Sequence, residues 1–215
     1  MLHILSLAGK GVFYFLSLGV AAYAVIGYGA LPVGSLVHPD MKAGFVTQPF
    51  GVYIHVFAAS TALLLGPFQF SSRIRQSGIH IHRWMGRIYL VAGVLIGGLS
   101  GLYIAQYAFG GPVARLGFTM LALCWLYTGF RAYSAIRGRA IEEHRKWMVR
   151  NFSLTFAAVM LRLYIPLSVL AGVDFASAYA AIAWLCWVPN LFVAEWINQT
   201  NSANQMSVAR VGRNS

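Results

Sequence analysis

Acidic side chains are scarce in this sequence. Five aspartates and glutamates stand against 16 lysines and arginines in 215 residues, and only 10% of the chain is charged. A soluble domain carries about 25% charged residues, so a water-solvated globular surface is excluded. With 59% hydrophobic residues and a mean hydropathy of +0.66, the chain reads as an integral membrane protein. Cysteine is nearly absent too: Cys124 and Cys186 both lie inside apolar runs, so a disulfide framework is not implied and the redox compartment stays unread. No CxxC or HxxxH spacing occurs, so Glu142, Glu143, His144, His80 and His82 lack the ligand pattern of a zinc site. There is no soluble nucleotide-binding domain, so any reductant would be a quinol or a separate protein. No repeat period is visible.

The formal charge of +11 superficially fits nucleic acid. The arginines, however, sit between hydrophobic segments, which is the pattern of cytoplasmic loops touching anionic lipid. Membrane lipid is the expected partner, and nucleic acid is not.

A spanning helix needs about 20 apolar residues. Six segments qualify: 11–32, 50–70, 84–108, 113–134, 149–171 and 176–197. The expected fold is an all-α integral membrane bundle of six transmembrane helices in one domain, residues 1–197. The start resembles a secretory signal around Ala22-Tyr23-Ala24, but its apolar character continues to Leu31 and predicts a retained first helix. Residues 198–215 are polar and without apolar period, and are expected to be disordered. Arg73, Arg75, Arg83 and Arg87 flank the second loop, and Arg131, Arg137, Arg139, Arg145, Lys146 and Arg150 the fourth. This bias predicts cytoplasmic second and fourth loops and cytoplasmic N- and C-termini.

The polar residues at membrane depth carry the functional signal, because ionisable groups there are costly and usually face a bundle interior. In the third helix His82 is followed on one face by Gly86, Gly93, Gly97 and Gly101. Residue 93 lies about three turns beyond residue 82, and the glycine spacing permits close helix approach in lipid. In the fifth helix His144, Met148, Asn151, Thr155 and Arg162 form one polar line that must face protein, a cofactor or a water-filled cavity. Arg162 lies about 27 Å along the helix from His144. His55, in the second helix, falls near the depth of Arg162. Two layers result, an inner one with His82 and His144 and an outer one with His55 and Arg162.

Two imidazoles at equal depth beside a glycine-lined groove suit axial ligation of a b-type haem. Gly86 and Gly93 would make room for the porphyrin, and Arg83 and Arg145 would meet its propionates. The alternative for His82 and His144 is that both snorkel into headgroups with neighbouring arginines. His55 suits a ligand, a proton carrier or a quinone hydrogen-bond partner, and equally a buried histidine bonded to the next helix. Arg162 requires a partner, because an unpaired arginine in hydrocarbon costs at least about 2.5–3.5 kcal/mol. An acid elsewhere, a carbonyl, a propionate or an anionic substrate would serve. Trp184, Trp187 and Trp196 read as interface belts. Asn198-Gln199-Thr200 is a formal sequon on the predicted cytoplasmic side and carries no signal. Glu195 is placed to pair with a basic residue of the second or fourth loop.

HRWMGRIY at 82–89, EHRKWMVRNFSLTFAAVMLRLYIPL at 143–167 and WVPNLFVAEW at 187–196 give the chain a resemblance to a bacterial membrane-protein family, domain of unknown function 2306. The likeness covers roughly residues 45 to 200 and implies a multi-pass protein of the bacterial inner membrane, without an activity. The helix opening at His82 is also similar to that of ferric-reductase-like transmembrane cytochromes, in which helices third and fifth in order carry the haem ligands. Those families place a second histidine about thirteen or fourteen residues further along each helix. Here Leu95, Ile96, Ala157 and Ala158 stand at those positions, so a stacked two-haem wire is not implied.

Two functions follow from this reading. One is a redox protein of electron transport, with haem b or quinone at His82, His144 and His55, exchanging electrons with quinone or another membrane redox protein. The other is a non-catalytic membrane protein for small-molecule transport or assembly of another complex, with the His144–Arg162 stripe as its interior pathway. Broken helices or paired repeats are the mark of a transporter.

Overall fold

The computed structural model describes residues 7–214, with side chains from Ala8 to Ala203, and every element is helical. Six helical stretches are long and apolar enough to cross a membrane: Ala8–Ala30, Pro49–Gln69, Ile79–Ala105, Gly111–Arg137, Ile141–Leu170 and Phe175–Ala203. The first span is α1 (Leu7–Ala30). A short helix in loop 1, α2 (Lys42–Thr47), leads to the second span, α3 (Pro49–Gln69). After α4 (Ser72–Ser77), the third span runs through α5 (Ile79–Ile88), a wide π-helical stretch over Tyr89–Leu95, and α6 (Ile96–Ala105). The fourth span is α7 (Gly111–Arg137). The fifth is α8 (Ile141–Thr155) and α9 (Ala157–Leu170), and the sixth α10 (Phe175–Leu185) and α11 (Val188–Asn214).

The third and fifth spans start earlier than hydropathy predicts, at Ile79 and Ile141. Hydropathy marks where a chain can sit in lipid, whereas a helix begins where its backbone ladder begins. Nothing between Ile141 and Val149 breaks that ladder, so the charged turns carrying Glu142, Glu143, Arg145 and Lys146 are helical and project beyond the apolar zone. The break between the third and fourth spans falls on glycines, and that between the fourth and fifth on Arg139, at φ +59°. Gly110 and Gly111 adopt φ of +85° and +72°, a left-handed conformation that favours glycine, and separate the third span from the fourth.

The polar segment from residue 198 continues α11 as helix. Its polar side chains serve the helix: Thr200 and Ser202 donate to the carbonyls of Trp196 and Asn198, each at 2.9 Å. Asn198 itself donates to the Lys146 carbonyl at 3.3 Å and ties the segment to α8. Low apolar content removes a span, not a helix. The side chains beyond Ala203, Arg210 and Arg213 among them, lie outside the described residues.

Neighbouring spans pack in sequence order, α1 on α3, α3 on α6, α6 on α7 and α7 on α8, while α10 packs on α7 and α9, and α11 on α8. Where α3 meets the third span the approach is close. A Cβ at Gly93 would stand 2.8 Å from the Cβ of Ala62, so the glycine permits this separation. The core cluster includes Leu63, Tyr89, Trp125, Phe152 and Val159, drawn from the second to the fifth spans.

Candidate functional site

The spans leave a cavity of about 450 Å³ in the half of the bundle away from the arginine-rich loops. All six contribute to its wall, and loop 1 roofs it through Met41, Gly44 and Phe45. The lining is largely apolar and aromatic, with His55 from α3 and Arg162 from α9 as its polar groups at depth and Asp40, Gln48 and Arg115 toward loops 1 and 3.

His55 approaches Gly97 across the helix interface, with Nδ1 2.9 Å from the carbonyl oxygen. A carbonyl only accepts, so Nδ1 carries the proton and Nε2 keeps its lone pair. One nitrogen of His55 thus bonds the next helix, and the ring lines the cavity. Arg162 donates from one Nη to the Ala158 carbonyl at 2.9 Å, one turn back on its own helix. His55, Tyr28 and Tyr23 lie within electrostatic reach of its guanidinium, and no carboxylate pairs with it among the described residues. Asp40, on the same cavity, stands 3.6 Å from His38.

Beneath the cavity lies a polar network that seals it. Tyr89 donates to Asn151 Oδ1 at 2.7 Å and shares a hydrogen with Thr155 Oγ1 at 2.9 Å. Asn151 Nδ2 donates to the Trp125 carbonyl at 2.8 Å and to Thr128 Oγ1 at 2.9 Å. Trp125 Nε1 donates to Thr155 Oγ1 at 2.9 Å. Asn151 is fully buried, and its oxygen and amide hydrogens are taken by protein. It acts here as a lock between the third, fourth and fifth spans.

The network coincides with interruptions in the helices. The π-helical stretch starts at Tyr89. The fifth span breaks at Phe156, next to Thr155, whose hydroxyl also reaches back 3.1 Å to the Asn151 carbonyl, an arrangement that bends helices. The sixth span breaks over Cys186 and Trp187, before Pro189, which cannot donate a backbone hydrogen.

At the arginine-rich end, His82 and His144 lie within electrostatic reach of each other, as expected of depth-mates. His144 has Nδ1 2.8 Å from the Ala132 carbonyl, so its Nε2 likewise keeps a lone pair. His82 Nδ1 is buried with no hydrogen-bond partner. The glycine face above it is filled by protein: Gly86 faces Gln69, with 3.2 Å between a Cβ there and Gln69 Oε1, and Gly93 faces Ala62. The room those glycines would offer a porphyrin is taken by α3. Among the described residues no group of three His, Cys, Asp or Glu side chains gathers for a metal ion.

A profile described as "Predicted membrane protein (DUF2306)" matches residues 52–198. The chain belongs to the DUF2306 family. No curated protein and no solved structure matches it. The matched region of this DUF2306 protein holds His55, Arg162, the Tyr89–Asn151 network and both inner histidines, and it excludes α1.

Two further sequence readings meet their outcome here. Glu195 pairs as expected, receiving Arg150 Nε at 2.5 Å and Nη2 at 2.9 Å. Of the three tryptophans read as interface belts, Trp196 is exposed and Trp184 half-buried, donating to the Val113 carbonyl at 3.2 Å, whereas Trp187 is buried and donates to the Ala183 carbonyl at 2.9 Å. Its place beside the helix break, away from any span end, puts it in the interior. Sequence reasoning missed Tyr89, Trp125, Tyr28 and Gln69. Aromatic residues in apolar runs read as lipid-facing or core, and only their neighbours in space reveal a polar duty.

Proposed function

We propose that this DUF2306 protein binds a small, largely apolar molecule bearing one anionic group and conducts it through the bundle. The observation that carries this is Arg162, a guanidinium lining a largely apolar cavity and paired with no carboxylate among the described residues. A buried cation without a counter-charge is costly, and an anionic ligand head would supply one. The volume of about 450 Å³ suits such a ligand, since small-molecule pockets measure roughly 300–1,000 Å³. His55 would add a second polar contact to the head, and Tyr28, Phe118 and Trp125 would pack the tail.

Passage, rather than binding alone, is supported by the interrupted third, fifth and sixth spans around the cavity floor. Irregular helical turns beside a central site are in keeping with a transporter, whose helices are interrupted there. With the arginine-rich loops cytoplasmic, the cavity would open outward and both termini would lie inside.

The competing reading is an axial haem b between His82 and His144. In its favour, the Ala132 carbonyl fixes His144 in the tautomer a metal ligand needs. The packing of Gln69 and Ala62 on Gly86 and Gly93 speaks for the transport reading. A reduced-minus-oxidised absorbance spectrum of protein from haem-replete cells decides between them: a haem b band lost in His144→Ala supports the redox reading.

The test of the anion reading uses brominated octanoate and brominated octanol as quenchers of Trp125, which lines the cavity. Octanoate should quench saturably, and Arg162→Gln should weaken it at least about tenfold while leaving octanol unchanged. Equal affinity for acid and alcohol in the unaltered protein would rule the proposal out.

A further inference from the structure

At the opposite end of the bundle, we infer that Arg75 of α4 and His82 of α5, above the side chain of Gln69 from α3, form a site for a phosphate-type oxyanion. It does not rest on the reading of the cavity.

Three nitrogen-bearing side chains meet there and lack acceptors. Gln69 is 6% exposed, its amide lies against Gly86 one turn beyond His82, and its Nε2 has no partner. His82 Nδ1 is buried and also has none. Arg75, partly buried and within electrostatic reach of His82, has no hydrogen bond or ion pair from its guanidinium among the described residues. A buried polar nitrogen left without a partner costs about 1–3 kcal/mol, so chance placement of two in one corner is disfavoured.

The charges around them are of one sign. Arg145 repels Arg75 across the gap between α4 and α8, and burial with that repulsion holds the Arg75 guanidinium below its ordinary pKa. Arg83 and His144 complete the cluster around His82. The two acids of this face are engaged: Glu142 binds Arg145 at 2.5 Å, and Glu143 stands 3.6 Å from Lys146. Water would satisfy Gln69 and His82 but would leave Arg75 uncompensated. A tetrahedral oxyanion does both, accepting from Arg75, from Gln69 Nε2 and from His82 in its Nδ1–H form, and offsetting the charge. A phosphodiester headgroup of an anionic lipid and free inorganic phosphate share this chemistry.

The test uses the full chain purified in neutral detergent, with two probes. Native mass spectrometry counts retained phosphatidylglycerol against phosphatidylcholine, and equilibrium dialysis measures binding of labelled inorganic phosphate. One saturable site is expected, weakened at least about tenfold in Arg75→Gln and in His82→Gln. Arg137→Gln, an exposed charge on the same face, should leave it unchanged. Retention of phosphatidylglycerol alone identifies a headgroup site; binding of phosphate as well identifies a site for the free ion. Gln69→Leu removes one orphaned donor without removing charge, and should weaken binding while the unfolding midpoint does not fall. The proposal is overturned if neither probe binds above background, if Arg137→Gln weakens binding as much as Arg75→Gln, or if Gln69→Leu leaves it unchanged.

Discussion

Tyr89 and Asn151 meet at 2.7 Å between the third and fifth spans, hydroxyl to side-chain oxygen, in the dry centre of the bundle. Thr155, Trp125 and Thr128 extend the contact into a network. It lies beneath the cavity and ties the third, fourth and fifth spans together.

Tyr89→Phe tests that contact. It leaves the buried Asn151 Oδ1 without its donor, at a cost of about 1–3 kcal/mol. Thermal unfolding in detergent should show the midpoint lowered by several degrees. An unchanged midpoint would mean that the bond carries no stability.

Gly93→Ala tests the close packing of α3 on the third span. The new methyl would stand 2.8 Å from the Ala62 Cβ and 3.0 Å from its Cα, so the helices must separate. Overpacking of this kind costs about 1–3 kcal/mol. Ala62→Gly in the same chain should recover part of the loss, because only one of the two conflicts is removed. No recovery in the double variant would place the strain elsewhere.

The Arg150–Glu195 pair gives a smaller effect. It is bidentate but partly exposed, with side chains 20% and 44% accessible, so solvent screens it. A double-mutant cycle with Arg150→Gln and Glu195→Gln should return a coupling of at most about 1 kcal/mol. That coupling should shrink as salt is raised.

Asp174 gives a pH signature. It caps α10, where the Ser177 amide donates to its carboxylate at 2.9 Å and holds its pKa below the ordinary carboxylate range. A depressed value means that the stabilisation is present above the unfolded pKa of about 3.9 and is lost as pH falls through the folded value. Asp174→Ala should therefore be less stable than the unaltered protein at pH 7, and the gap should close in acid. A gap that persists unchanged at the acid end would assign the effect to something other than the charged cap.

Much of this protein is legible in one dimension. Six spans, their order and the loop arginines follow from apolar runs and charge, because the cost of placing polar groups in lipid acts residue by residue; the family resemblance rests on the motifs at 82–89, 143–167 and 187–196. The polar line of the fifth span and the pairing of Glu195 with the fourth loop were legible for the same reason. Helix ends were not, since hydropathy does not report where a backbone ladder starts. Nor could sequence say that Asn151 spends its hydrogen bonds on Tyr89, Trp125 and Thr128 while Arg162 keeps a cavity and no acid. Which partners a buried polar group finds depends on how six helices cross, and that is set by contacts such as Gly93 on Ala62 between residues far apart in the chain.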